Sequence, residues 1–276
     1  MAVETAPAPT SEAPSGRPLP AEVARPRIRV QGAVKSFSGR VVVDVVDLTL
    51  GERPIEGLIG PNGAGKTTLM RMIMHSTPLD RGRISLLPPG GGEVVLSSLP
   101  AHRMARHGVV KSNQVITDFD RLTIWDSLLL AVAEARYEQP HRVLAEGTVF
   151  RRHEAEIRHY LDYFGLADPC GFAMSAGDKK LLDIVRCLLL RPTVLLLDEP
   201  TAGLPEILTE KVVQIVRELA RTGTSVVVVE HDLDVVWSLC DEVLFMAEGK
   251  LLLRGDPASI RANRTVVEKY LGEGHV

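Results

Sequence analysis

Residues Gly60-Pro61-Asn62-Gly63-Ala64-Gly65-Lys66-Thr67 place a glycine, four residues, and then Gly-Lys-Thr in one run. That spacing is the pattern of a loop that cradles phosphates. Backbone N–H groups of such a loop converge on anionic oxygens, and the helix that follows adds the positive end of its dipole. Gly60, Gly63 and Gly65 are expected because no Cβ can be tolerated where backbone wraps phosphate. Lys66 is expected to bridge β- and γ-phosphates, and the Thr67 hydroxyl to ligate Mg²⁺.

Two further groups fit the same chemistry. Leu195-Leu196-Leu197 runs into Asp198-Glu199, a carboxylate pair at the end of an apolar strand, where open α/β sheets bind ligands. Asp198 is expected to hold Mg²⁺ and Glu199 to polarise an attacking water. Glu230-His231-Asp232 ends the next apolar run, and His231 there reaches a γ-phosphate as a donor. Gln114 also ends an expected strand, with its amide within reach of the metal or the water.

These groups need elements to hold them. Ile55 to Ile59 reads as a strand leading into the loop. The apolar positions 69, 70, 73 and 74 read as the helix leaving it. Leu195-Leu196-Leu197 and Val226-Val227-Val228-Val229 are apolar on both faces, as parallel strands covered by helices on both sides must be. Between them Val212, Val213, Ile215, Val216 and Leu219 mark a helix. Upstream, Ile28, Val30 and Val41 to Val43 read as strands around a Ser38-Gly39 turn, a β-rich lead-in. Arg83 to Leu87 and Val109 to Ser112 read as further strands, with a short basic helix from Pro100 to His107 stopped by Gly108. Leu122 to Leu166 reads as a helical insertion, with stripes Trp125, Leu128, Leu129, Val132 and Ile157, Tyr160, Leu161, Phe164. Ser175 opens a helix that Pro192 ends.

Composition narrows the class. The 276 residues are 45% hydrophobic with a net charge of −3, so no strong field favours nucleic acid or an anionic membrane. Aromatic residues make up only 4%, which argues against base-stacking platforms. Cys170, Cys187 and Cys240 follow no metal spacing and read as free thiols in a reducing compartment. Residues 1–26 carry six of the 18 prolines and are expected to be a disordered tail. No apolar run approaches the roughly 20 residues of a membrane helix, and no secretory signal is expected.

The order of phosphate loop, Gln114, Ser175-Ala176-Gly177, Leu197-Asp198-Glu199-Pro200 and His231 resembles the ATP-binding subunit of ABC transporters. The resemblance runs from about Arg27 to Leu271. It implies an α/β P-loop NTPase fold of ABC type: a mostly parallel sheet flanked by helices, a β-rich N-terminal subdomain and a helical subdomain. The cassette would fill 27–276, with the helical subdomain at about 115–182 and a C-terminal extension at about 251–276. Phe37 is implied as the aromatic stacked on adenine. With it, Gly60, Pro61, Asn62, Gly63, Ala64, Gly65, Lys66, Thr67 and Thr68 form the nucleotide-binding set. Glu199, His231, Lys66 and Gln114 are the implied catalytic residues, and Thr67, Gln114 and Asp198 the Mg²⁺ ligands. Ser175, Ala176, Gly177 and Asp178 form the signature that would bind the ATP held by a second cassette, in a homo- or heterodimer. Ala202-Gly203-Leu204 resembles the loop coupling the two sites.

Ser98 to Gly108, Leu122 to Leu128, Gly165 to Asp168 and the segments Gly255 to Pro257 and Val266 to Gly272 look like the branched-chain amino acid, amide and urea importers. That similarity implies a subunit on the cytoplasmic face of an inner or plasma membrane, peripheral to two permease subunits. A periplasmic or extracellular solute-binding protein completes such a system, and no nucleic acid is expected. The alternatives are the ATPase of an exporter, such as lipopolysaccharide export, and a low-turnover regulatory nucleotide-binding subunit. An ABC ATPase of DNA repair or translation would need two cassettes or a long coiled coil, and neither is present. Met174, Ala176, Asp178 and Pro205 depart from the family pattern, which predicts altered contacts where two cassettes meet.

Overall fold

The structure, a computed structural model, describes residues 24–112, 123–136, 146–166 and 174–271. The expected tail, Gln114 and Cys170 lie largely or wholly outside them. The chain opens with an antiparallel hairpin of β1 (Arg27–Phe37) and β2 (Arg40–Leu50). Its two-residue turn has positive φ at both Ser38 (49°) and Gly39 (79°), the geometry that matches strand twist in a tight hairpin. Next come β3 (Ile55–Ile59), α1 (Lys66–Ile73), β4 (Arg81–Leu87) and β5 (Val94–Val95). β1, β2, β4 and β5 make a small sheet in the order β2-β1-β4-β5.

The second sheet carries the Gly60–Gly65 loop and the Asp198-Glu199 pair at its strand ends. It adds β6 (Val109–Lys111), β7 (Val194–Asp198), β8 (Ser225–Val229), β9 (Glu242–Ala247) and β10 (Lys250–Gly255) in the order β10-β9-β3-β8-β7-β6. Every neighbouring pair is parallel except β10 with β9. All residues of β3, β7 and β8 are buried. Alternation along them feeds two cores. Leu195, Leu197, Val226 and Val228 face one core, and Val194, Leu196, Val227 and Val229 the other.

The first core is roofed by α2 (Ile124–Arg136), α3 (Glu146–Phe164), α4 (Ala176–Leu189), α5 (Glu206–Arg221) and α6 (Leu233–Leu239). The second is shared with α1 and the small sheet. The expected stripes Leu128, Val132 and Ile157, Leu161, Phe164 are buried, whereas Trp125, Leu129 and Tyr160 sit half-buried at their edges. Short helices α7 (Pro257–Arg261) and α8 (Arg264–Val266) follow β10. The expected basic helix is a tighter 3₁₀ turn over Ala101–His107, closed by Gly108 at φ 76°. Among the described residues no helix is long and apolar enough to cross a membrane.

One buried acid anchors the strand that leads to the phosphate loop. Glu56 of β3 accepts the N–H groups of Gly51 (2.9 Å), Glu52 (3.0 Å) and Arg53 (3.1 Å). Arg254 of β10 pairs with it at 3.2 Å and with Glu242 at 2.6 Å. Burial pushes the Glu56 carboxyl up to about 7, against the pull of those N–H groups and of Arg254. Nothing in its spacing marks Glu56 in the sequence, because its partners come from a neighbouring turn and from a strand almost 200 residues away. Cys187 and Cys240 are free and buried, and burial holds both thiols well above their ordinary range, so neither is poised as a nucleophile.

Candidate functional site

The loop from Gly60 to Gly65 joins β3 to α1. Its glycines are required by their surroundings for different reasons. A Cβ on Gly60 would lie 1.9 Å from the Met246 carbonyl of β9, and one on Gly65 2.6 Å from the Val42 carbonyl of β2. Gly63 has open space around it and is needed for its φ of 78°. So protein backbone, rather than close approach of a phosphate, excludes a side chain at the two outer glycines. The loop is pinned from the side as well: Gly249 N–H donates to the Ala64 carbonyl at 3.0 Å. The first turn of α1 carries no acid, leaving its free N–H groups and dipole available to an anion.

Lys66 is buried, at 6% exposure. Its ammonium donates to the carbonyls of Gly60 (2.6 Å) and Pro61 (3.1 Å), folded back over its own loop. Burial lowers its pKa, and Glu199 and Asp198 pull the other way. Thr67 and Thr68 are half-buried in the first turn of α1, and Pro61 and Asn62 stand at the more open loop tip.

Asp198 ends β7, at 2% exposure. Its N–H donates to Ser112 Oγ at 3.0 Å. Neither carboxylate oxygen accepts a hydrogen bond, while the Lys111 ammonium stands 3.1 Å from Oδ2. A buried carboxylate with unfilled lone pairs fits a cation. Among the described residues no group of three His, Cys, Asp or Glu side chains could hold a metal. That donor set suits Mg²⁺, which typically takes one or two protein ligands and completes its shell with phosphate and water.

Glu199 follows in a left-handed conformation, φ 52°, uncommon for a residue with a side chain. Its N–H donates to the Val229 carbonyl at 2.8 Å, and its Oε1 lies 3.0 Å from His231 Nε2. The structure thus brings Lys66, Asp198, Glu199 and His231 to one end of adjacent parallel strands. The neighbours of His231 do other work. Buried Glu230 accepts the N–H (2.8 Å) and hydroxyl (2.7 Å) of Thr201, holding the turn after Glu199. Asp232 caps α6 by accepting the N–H groups of Asp234 and Val235. The roles of Lys111, Ser112 and Glu230 escape a sequence reading, because each acts through a contact made by sheet pairing or by a turn.

The Ser175 group stands apart on the exposed N-terminus of α4. Ser175 Oγ accepts the Asp178 N–H at 3.1 Å, and the Asp178 carboxylate accepts the Ser175 N–H at 3.2 Å and its hydroxyl at 2.8 Å. This is a capping box. The unusual Asp178 therefore has a local structural use, and it engages the Ser175 hydroxyl. Gly177 faces the turn after Glu199: a Cβ there would lie 3.3 Å from Leu204 Cδ2. Pro205 sits at the N-cap of α5 with no side-chain cap, and its carbonyl accepts the N–H groups of Leu208 and Thr209, both at 3.0 Å. Phe37 is half exposed at the end of β1, with the Lys35 ammonium 5.4 Å from its ring centroid. Its hairpin partner strand is the one whose Val42 abuts Gly65.

Comparison with known proteins bears on the family and the fold. The profile of the ABC transporter family matches residues 43–202. The high-affinity branched-chain amino acid transport ATP-binding protein LivG of Salmonella typhimurium is 33% identical over 259 residues, covering 91% of this chain and all of that protein. The lipopolysaccharide export system ATP-binding protein LptB of Escherichia coli is 32% identical over 246 residues, covering 89% of this chain and 97% of that protein. A nucleotide-free ATP-binding cassette from an ABC transporter superposes with a TM-score of 0.71 at 25% identity, covering 90% of this chain and all of the other.

Proposed function

Because the chain belongs to the ABC transporter family as an ATP-binding, ATP-hydrolysing subunit, we propose that it powers an importer of branched-chain amino acids or related amides and other small solutes. The observation that carries this reading is the full-length similarity to LivG, 33% over 91% of this chain. The similarity to LptB, 32% over 97% of that protein, supports an exporter as the second reading, since the ATPase is the part such systems have in common.

In the mechanism we favour, Lys66 leaves its two loop carbonyls for the β- and γ-phosphates of ATP, and the loop N–H groups take the remaining oxygens. Phe37 stacks on adenine, and Asn62, Thr67 and Thr68 complete the nucleotide-binding set. Asp198 and Thr67 would hold Mg²⁺, with Gln114, outside the described residues, as a further ligand. When bound, that ion neutralises charge on the transferring phosphoryl group. Glu199 accepts the proton of the attacking water, and His231, 3.0 Å from its Oε1, keeps the carboxylate aimed. A second cassette supplies its own Ser175, Ala176, Gly177 and Asp178 to the open side of the nucleotide. Two permease subunits place the dimer at the cytoplasmic face of the membrane, and a solute-binding protein delivers cargo on the other side.

Glu199→Gln is expected to lower ATP turnover at least about a hundredfold while ATP still binds and ATP-bound dimers accumulate. Substantial hydrolysis by that variant would remove Glu199 as the base. For cargo, cells lacking the gene should lose uptake of labelled leucine or a related amide. Normal uptake with impaired delivery of envelope glycolipid would favour the exporter.

A further inference from the structure

Lys180 lies in the first two turns of α4 and is absorbed by none of the roles above. Its ammonium donates to the Glu199 carbonyl at 2.7 Å and to the Ala202 carbonyl at 2.8 Å. Gly177 and Lys180 are three residues apart, so they share one face of the helix. That face is turned to the loop from Glu199 to Leu204: Gly177 packs against Leu204, and Lys180 grips the loop's first peptide. We propose that Lys180 is a positioning residue, tying the helix that carries Ser175 and Gly177 to the backbone of Glu199. The grip of this chain on its partner's nucleotide thereby sets the aim of the base on its own.

The reason lies in what holds Glu199. Its backbone is left-handed at φ 52°, a conformation that persists only where the surroundings enforce it. On the amino side its N–H is bonded to Val229, inside the sheet. On the carboxyl side its C=O is bonded to the Lys180 ammonium, which is outside the sheet and rides on α4. The side chain is steadied by His231. A small displacement of α4 therefore reaches the Glu199 carboxylate through one charge-assisted hydrogen bond. The same ammonium holds Ala202, so the turn moves with it. Lysine suits the task, since a compact ammonium with three donors satisfies two carbonyls at once.

The inference rests on Glu199 acting as the base, and the test keeps the two apart. Steady-state hydrolysis of MgATP by the assembled transporter is measured for Lys180→Met, Lys180→Arg and Glu199→Gln. Dimerisation driven by ATP is measured for Glu199→Gln with and without Lys180→Met. Lys180→Met is expected to lower kcat about tenfold with KM for ATP changed less than about twofold, the split expected when only the reacting geometry is loosened. Lys180→Arg, which keeps charge and donors, is expected to recover most of kcat. The double variant is expected to dimerise as Glu199→Gln does. If Lys180→Met does not fold, Lys180→Gln, with one weaker donor group, is expected to show an intermediate kcat. Unchanged kcat in the folded neutral variant overturns the assignment. So does loss of ATP-driven dimers in the double variant, which would place Lys180 in nucleotide contact. Hydrolysis surviving in Glu199→Gln would instead sink the reading of the base.

Discussion

Around Lys66 each group proposed to act on nucleotide hangs from the end of a buried strand: Asp198 from β7, His231 just past β8, and the loop itself from β3. Around Ser175 the groups stand on an exposed helix end, with the hydroxyl already bonded to Asp178. The first end is held by two cores and leaves the buried Asp198 carboxylate with no hydrogen bond, only the Lys111 ammonium 3.1 Å from Oδ2. The second satisfies itself. If the two ends bind nucleotide as proposed, the one with unfilled buried lone pairs has much to gain, whereas the one closed by a capping box must exchange bonds for a partner's phosphate. On that proposal the chain carries one end prepared for nucleotide and one end whose engagement is conditional.

That contrast is broken most severely at Gly60. A methyl group 1.9 Å from the Met246 carbonyl cannot be accommodated without moving β9 or the loop. Gly60→Ala is expected to weaken ATP binding at least about a hundredfold and to destabilise the fold by about 3 kcal/mol or more, measured by nucleotide titration and urea unfolding. Near-normal binding would show that the loop is not held as tightly as its neighbours imply.

A smaller effect tests the anchor beneath the same end. Burial raises the Glu56 carboxyl from an ordinary 4.5 to about 7, so the folded chain holds that proton more tightly than the unfolded one. Its contribution is complete below about pH 4.5 and is lost as pH rises through about 7, by about 3 kcal/mol at most. Urea midpoints should fall across that window for the parent chain. They should fall less for Glu56→Gln. Equal slopes would remove burial as the dominant influence on this group.

The conditional end is expected to respond least. Asp178→Ala removes the capping box and should cost about 1 kcal/mol, while Asp178→Gln, which can rebuild it, should stay within a few tenths. Thermal unfolding of the two variants decides. No difference between them would mean that the box seen at Ser175 contributes nothing to α4.

Much of this was open to reading in the residues. The phosphate loop, the buried parallel strands β7 and β8 and the helix α5 between them follow from spacing and apolar runs, because burial on one face or two leaves a periodic trace. The hairpin turn at Ser38-Gly39 was legible for the same local reason. The 3₁₀ geometry of Ala101–His107 was not, since a short helical run does not declare its hydrogen-bond spacing. Nor was the reason for Gly60 and Gly65, which lies in carbonyls of β9 and β2 that the local pattern does not contain.

Order along the chain determined the kind of chemistry: a loop for phosphates, a carboxylate pair after an apolar strand and a histidine one strand further on. What tertiary structure alone decided is who touches whom. Lys111 reaches Asp198, Arg254 reaches Glu56 and Lys180 reaches Glu199 only after sheet order and helix packing bring distant segments together. Spacing records which residues share a face of one element. It carries no record of contacts between elements, and in this chain those contacts hold the groups proposed as catalytic.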